Sequence, residues 1–475
     1  MQDVAIAGRL LATLLVLPSL TAGCLSGSAL EYQSQEGELD VSTVVAGEQP
    51  GPRTQVAQPV SGEEPTERSE SPGLLWSLRG YNECDVGPDI DGDGLPDLFI
   101  ASGDSFVLAN GDGVVAVQGK SGRVLWESRN PSWRLKGGFT AATNLKTWTD
   151  LDADGYDDLL VAFDSARSPH EVQGLVTCLS GLSGTPIAEW RGEGAWARFG
   201  SALATASTWS RACRAAVVVQ RGIEVAKASD TGAIFLLAPK PDARMAARLR
   251  LDPRRADYLG DVLLVPGPSS ACDLLAVQEN EVLRLSTEDG SERYRVPVKR
   301  RSHSGPVSLA LLPDLSADGL QDWAIVLPVV VGLTEEQTES VLRLLDARDG
   351  QALREVTIHR DQGSLRGEYL SWEDVTGDGI PETVCGSYGE VSGARWPTHV
   401  VAIDLMRGVI VGGLAVSRPT GLVGGVEAVV DVDGDGVLDI ATKLFATDPD
   451  NPDYPAQQLG LAVVCGAELR RVCTP

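Results

Sequence analysis

The segment DIDGDGLPDLFI, residues 89–100, sets Asp89, Asp91, Asp93 and Asp97 at places 1, 3, 5 and 9 of a loop that has Gly94 at place 6. Four carboxylates at that spacing are hard oxygen donors. The chemistry open to them is the capture of a cation such as calcium, which takes about six to eight oxygens at roughly 2.3–2.6 Å. Alternate side chains of a tight turn can converge on one ion, and a glycine at place 6 permits the sharp reversal. The pattern returns four times: Asp150, Asp152, Asp154 and Asp158; Asp314, Ser316, Asp318 and Asp322; Asp374, Thr376, Asp378 and Glu382; and Asp431, Asp433, Asp435 and Asp439. Five copies of one spacing make a repeat, where a single copy would read as an acidic surface turn. Ser316 and Thr376 stand where the other loops have a carboxylate, which makes the loops at 314 and 374 poorer ligand sets.

These are not EF-hands. An EF-hand closes with a carboxylate at place 12, and here place 12 is Ile100, Val161, Ile325, Cys385 and Thr442. Place 9 is acidic every time, so the loop closes three residues early. The segments after the loops (DLFIAS, DLLVAF, DWAIVL, DIATKL) are short and apolar and read as buried strand, not helix. A backbone carbonyl near place 7, at Leu95, Tyr156, Leu320, Ile380 or Val437, is expected to add a ligand. Up to five calcium ions with a structural role are expected. Of the twenty side chains at ligand places eighteen are carboxylates, which repel one another without cations; five ions would change the formal net charge from −26 to −16.

The loops must be carried by a repeating unit. Their starts are 61, 60 and 57 residues apart where they neighbour, and the interval from 150 to 314 is close to three such periods. Two degraded repeats fill it: STWSRACRAAVVVQ (207–220) and PGPSSACDLLAVQ (266–278) keep the strand and lose the acidic set. After each loop comes a pair of strands joined by a glycine-containing turn, as in GVVAVQGKSGRVLWE (113–127), GLVTCLSGLSGTPIAEW (174–190), VLRLLDARDGQALREV (341–356) and VVAIDLMRGVIVGG (400–413). With an entering strand such as GGVEAVV (424–430), each unit of about 57 residues has four antiparallel strands. Radial repetition of such units buries sheets without long exposed edges. The expected fold is therefore all-β, a seven-bladed β-propeller over residues 73–475 with five calcium loops. LLWSLRG (74–80) matches the outermost strand of a unit and is expected to complete the last blade; the alternative is that residues 469–473 supply that strand.

The loop D-x-D-x-D-G-x-x-D between the first two strands of a unit resembles the FG-GAP repeat, to which VCBS repeats are related. FGSALAT (199–205) is similar to its phenylalanine-glycine signature. That family builds the heads of integrin α chains and many bacterial surface proteins. The resemblance spans roughly residues 74–475 and implies a non-catalytic, calcium-stabilised scaffold that binds a protein or glycan partner at a cell surface. A rival exists. GVVAVQGKSGRVLWE also resembles the strand pair of quinoprotein-type propellers, which implies an oxidoreductase; a polysaccharide-active enzyme is the other catalytic form. No G-x-S-x-G elbow, phosphate-cradling glycine loop or Cys-x-x-Cys pair occurs. The four histidines, His170, His303, His359 and His399, are scattered, so no catalytic or organic-cofactor residue is assigned.

The remaining segments place the protein. Arg9 precedes the apolar run LLATLLVLPSL (10–20), too short to span a bilayer and suited to a signal-peptide core. With TAGC (21–24) it resembles a bacterial lipoprotein signal, which implies lipidation of Cys24; Thr21 stands where that signal usually has Leu. Ordinary cleavage nearby, giving a secreted protein, is the alternative. Residues 25–72, rich in Ser, Glu, Gln, Pro and Gly, are expected to be a disordered tether. The chain is thus read as an exported, lipid-anchored cell-envelope monomer. A net charge of −26 excludes a nucleic-acid partner, which needs a basic surface. Seven cysteines besides Cys24 cannot all pair. Cys213–Cys272, Cys465–Cys473 and Cys84–Cys473 are the conceivable bridges, and the rest read as small buried strand residues. Trp76, Trp126 and Trp190, at strand ends, are expected to pack between blades.

Overall fold

The computed structural model describes residues 31–33, 74–79, 81, 83–101, 113–129, 142, 144–163, 174–192, 198–206, 216–221, 233–237, 245–250, 259–267, 272–278, 281–298, 308–330, 338–358, 364–373, 382–388, 398–404, 407, 409–415, 422–446 and 457–465. Cys24 and the signal segment fall outside them. All regular elements among them are strands, and no helix is long and apolar enough to cross a membrane.

Two strands come first, β1 (Glu31–Gln33) and β2 (Leu74–Arg79), and seven antiparallel sheets then succeed one another in chain order. The first holds β3 (Glu83–Val86), β4 (Leu98–Ala101), β5 (Val114–Val117) and β6 (Val124–Ser128). The second holds β7 (Asn144–Thr147), β8 (Leu159–Phe163), β9 (Leu175–Leu179) and β10 (Pro186–Arg191). The third holds β11 (Arg198–Thr205), β12 (Ala216–Arg221), β13 (Ala233–Leu237) and β14 (Met245–Arg250), and the fourth β15 (Leu259–Pro266), β16 (Cys272–Gln278), β17 (Glu281–Ser286) and β18 (Glu292–Pro297). In the fifth are β19 (Ser308–Leu311), β20 (Trp323–Val330), β21 (Thr338–Leu345) and β22 (Ala352–Ile358). The sixth has β23 (Ser364–Glu373), β24 (Glu382–Tyr388), β25 (Thr398–Asp404) and β26 (Val409–Ala415). The last is built from β27 (Leu422–Val430), β28 (Asp439–Ala446) and β29 (Gln457–Val464), with β2 as its fourth strand.

The molecule is a β-propeller. The entering strands neighbour one another in the order β3, β7, β11, β15, β19, β23 and β27, and β27 returns to β3. Closure is made by the chain's beginning: β2 pairs antiparallel with β29, Leu78 opposite Leu461. The expectation of seven four-stranded blades is corrected. Six sheets have four strands, and the third has five because β1 pairs with β14, Tyr32 opposite Leu249. An outermost strand presents unpaired N–H and C=O groups, and three residues from the stretch expected to be a tether satisfy some of them here.

The core lies between adjacent sheets, because each sheet buries both faces. Along β4, Leu98 and Ile100 pack toward the last sheet while Phe99 and Ala101 pack toward the second. This period-2 division explains why the strands after the loops are apolar without interruption. Cys84 and Cys178 are reduced and buried, and Cys465 is reduced, so the bridges Cys84–Cys473 and Cys465–Cys473 are not formed. For Cys84 the reason is its position in β3, packed between the first and last sheets. Cys272 is disulfide-bonded; Cys213 falls outside the described residues.

Candidate metal centre

Four of the five acidic loops lie wholly among the described residues. Asp374, Thr376 and Asp378 do not, and Glu382 is the buried first residue of β24. Each described loop is wound tightly by its own carboxylates. The place-1 aspartate accepts the place-6 glycine N–H in all four: Asp89 from Gly94 at 2.8 Å, Asp150 from Gly155 at 3.0 Å, Asp314 from Gly319 at 2.8 Å and Asp431 from Gly436 at 3.0 Å. The place-5 aspartate accepts the N–H two residues on, as Asp93 does from Leu95 at 2.9 Å. Place 4 also needs a left-handed backbone, which the sequence reading missed. Gly92 and Gly434 supply it, while Ala153 and Ala317 adopt φ of 63° and 61°.

The winding brings three carboxylates together in three of the loops. One oxygen each from Asp89, Asp91 and Asp97 lie within 4.8 Å of one another, and so do those of Asp150, Asp152 and Asp158 and of Asp431, Asp433 and Asp439. Two oxygens on opposite sides of a calcium ion are about 4.6–5.2 Å apart, so this all-oxygen set fits such an ion. Asp93, Asp154 and Asp435, at place 5, stand outside these triplets. In the loop at 314, Asp314, Ser316, Asp318 and Asp322 form no such group among the described residues; Arg348 Nε lies 3.1 Å from Asp318 there. Arg123 similarly reaches Asp91 at 3.2 Å from an exposed position.

The place-9 aspartate is the buried member of each set. Asp97 accepts N–H groups from Ile90 at 2.7 Å and Gly119 at 3.1 Å; Asp158 accepts them from Leu151 at 2.6 Å and Gly181 at 3.1 Å. Burial pushes the Asp158 carboxyl up to about 7, against those amides, with Asp152 and Asp154 adding to the rise. Burial likewise raises Asp97 and Asp322. By contrast Asp314, exposed and held by the Gly319 amide, is lowered. A desolvated carboxylate beside others of its sign is a place where a cation is favoured.

The residue directly after the third strand of a sheet faces the loop, a relation the sequence reading missed although its fixed spacing carried the signal. Gln118 Nε2 donates to Asp91 at 2.7 Å and to Asp93 at 3.1 Å, and Ser180 Oγ to Asp154 at 3.1 Å. In the last sheet this place is Cys465, whose thiol lies within 4.8 Å of oxygens of Asp433 and Asp435.

A second charged cluster lies on the entering strands. Burial alone would lower Lys146, but Asp85, Asp261, Glu427 and Glu83 outweigh it and keep its ammonium firmly protonated. Lys443 Nζ is 2.9 Å from Glu427 and 3.5 Å from Glu83. Asp85 accepts the Thr147 N–H at 2.5 Å, tying β3 to β7, and Asp261 accepts that of Leu309 at 3.1 Å, tying β15 to β19.

No family model and no curated protein matches this chain. Among solved structures 218 chains match. One is the crystal structure of a protein of unknown function from Bacteroides caccae, 11% identical, covering 72% of this chain and 96% of its own, with a TM-score of 0.39.

Proposed function

We propose that the chain is a calcium-stabilised, non-catalytic propeller of the FG-GAP and VCBS type, held at the cell envelope by a lipid on Cys24, that binds a protein or glycan partner. The observation that carries the calcium reading is the convergence of places 1, 3 and 9 in three loops, each with a buried place-9 carboxylate. The surface-binding role is argued from the loop motif and the lipoprotein-like signal, and fold alone does not dictate it.

Thermal unfolding of the full chain in excess calcium and then in chelator tests the scaffold reading. An ion that binds only the folded form stabilises it by about 2.7 kcal/mol per site at a hundred times its Kd, so a large drop in midpoint on chelation is expected. An unchanged midpoint would leave the loops without a role in holding the sheets. Cys24→Ala is expected to move the protein from the membrane to the soluble fraction; unaltered partition would remove the lipid anchor. The catalytic rival finds one support, Lys146 among four carboxylates. Asp85 and Asp261 are spent on ring ties and Glu83 and Glu427 on Lys443, which leaves it second.

A further inference from the structure

The place-9 aspartates act beyond their own loops. Asp97 Oδ1 accepts the N–H of Gly119 at 3.1 Å, and the carbonyl of that same Gly119 accepts the indole N–H of Trp76 at 2.6 Å. Trp76 belongs to β2 in the last sheet, so the contact crosses the boundary where the ring closes. The arrangement recurs between the first and second sheets: Asp158 accepts Gly181 N–H at 3.1 Å, and Gly181 carbonyl accepts Trp126 N–H at 2.9 Å. Between the fourth and fifth sheets Asp322 accepts Ala347 N–H at 2.9 Å, and Ala347 carbonyl accepts the Tyr294 hydroxyl at 3.1 Å. The donor changes from indole to phenol and the shared residue from glycine to alanine, yet the hydrogen-bond position is kept. Each aromatic ring also lies against the next glycine of the turn, where a Cβ on Gly122 would come within 2.7 Å of Trp76 and one on Gly184 within 2.5 Å of Trp126.

We propose that each filled acidic loop clamps its sheet to the preceding one through this single shared residue, whose amide is held by the loop and whose carbonyl holds the neighbour's aromatic donor. The clamp rests on the calcium reading above. An ion that fixes the place-9 carboxylate fixes the amide bonded to it, and the carbonyl of the same residue then keeps its aim at the donor. Two sites joined in this way must influence each other equally. The loops are therefore regulators of ring closure, and occupancy of the first loop acts on the seam between the two ends of the chain.

Hydrogen exchange of the indole N–H groups in the full chain, labelled at tryptophan nitrogen, reads the clamp directly. Calcium is expected to slow exchange at Trp76 and Trp126 by about five-fold or more. Asp97→Asn offers one acceptor oxygen where two are used, so Ile90 or Gly119 loses its partner. It should abolish the response at Trp76 and leave that at Trp126. In metal-free protein it should speed Trp76 exchange, while Asp91→Asn, which touches Gln118 and Arg123, should not. Conversely, Trp76→Phe keeps an aromatic ring, removes the donor, and should weaken calcium binding at the first loop by the same factor. Calcium heat by titration with Trp76 indifferent to calcium, or with unchanged affinity in Trp76→Phe, overturns the clamp alone. No calcium heat and no response at any tryptophan overturns the calcium reading and the clamp with it.

Discussion

The first and fourth sheets solve one electrostatic problem in two ways. Both bury an aspartate where the entering loop meets the second strand, Asp97 in the first and Asp273 in the fourth. Strand pairing shows the equivalence: Leu98 stands opposite Val117, the last residue before the turn, and Leu274 stands opposite Leu285 in the same way. Around Asp97 the chain supplies amides and more carboxylates, with only the exposed Arg123 nearby at Asp91, and in the proposed reading a calcium ion brings the positive charge. Around Asp273 the fold supplies it. The buried Arg284 guanidinium donates to Asp273 at 2.8 Å and to the Pro266 carbonyl at 2.8 Å, and also reaches the Ala347 carbonyl. The fourth sheet has no acidic loop but has an internal cation, so the Arg284 contact with the fifth sheet needs no bound metal ion. A repeat can thus be degraded in sequence and still satisfied in physics.

The largest effect should come from breaking the internal solution. Arg284→Met leaves the buried Asp273 only the more exposed and more distant Arg293, 3.7 Å away, and one-sided removal from a buried pair costs about 3–5 kcal/mol. Denaturant unfolding should show that loss in calcium and in chelator alike; a loss under about 1 kcal/mol would mean that Asp273 is tolerated uncompensated. A loss of the same order but confined to calcium-containing buffer is expected when the external solution is broken in all three convergent loops together, by Asp97→Asn, Asp158→Asn and Asp439→Asn. In chelator that triple variant should stay much nearer the wild-type midpoint, the relief of buried charge being offset by the amide acceptors lost at Asp97 and Asp158.

A smaller effect is set by pH. The Asp158 carboxyl rises from an ordinary 3.8 to about 7 in the folded, metal-free chain. The folded form then holds a proton that the unfolded form releases, so the stability from this group is present below about pH 4 and is lost as pH rises to about 7 and beyond. Metal-free protein should therefore lose midpoint temperature across that window. Calcium competes with the proton and should reverse the trend, and Asp158→Asn should remove it; a flat metal-free profile counts against a desolvated Asp158. The smallest effect concerns Ala153, which holds a left-handed backbone at φ 63°. Ala153→Gly should relieve about 1 kcal/mol, read as a slightly raised midpoint in chelator, whereas an unchanged or lowered midpoint would show no strain at that place.

The acidic spacing made the loops legible, and the apolar runs behind them made the second strands legible. LLWSLRG was readable as the closing strand because it repeats the outer-strand pattern away from its own repeat. The hidden features depend on partners far apart in the chain. Arg284 reads as one polar position of an alternating strand, and only the fold shows that it faces Asp273, 11 residues away. Lys146 gives no local sign that four carboxylates surround it, because they come from three other sheets. The pairing of β1 with an outer edge was invisible, since Glu31–Gln33 has no pattern of its own. Place 4 of the loop was missed because glycine and alanine share it, which masks its left-handed backbone.

Calcium titration of the full chain by calorimetry, with metal content determined beforehand in protein stripped by chelator, decides whether the acidic loops hold ions. At least three ions per chain are expected, falling by one for each place-9 substitution among Asp97, Asp158 and Asp439. No heat and no retained calcium would contradict this expectation, leaving the acidic loops as turns wound only by their own hydrogen bonds.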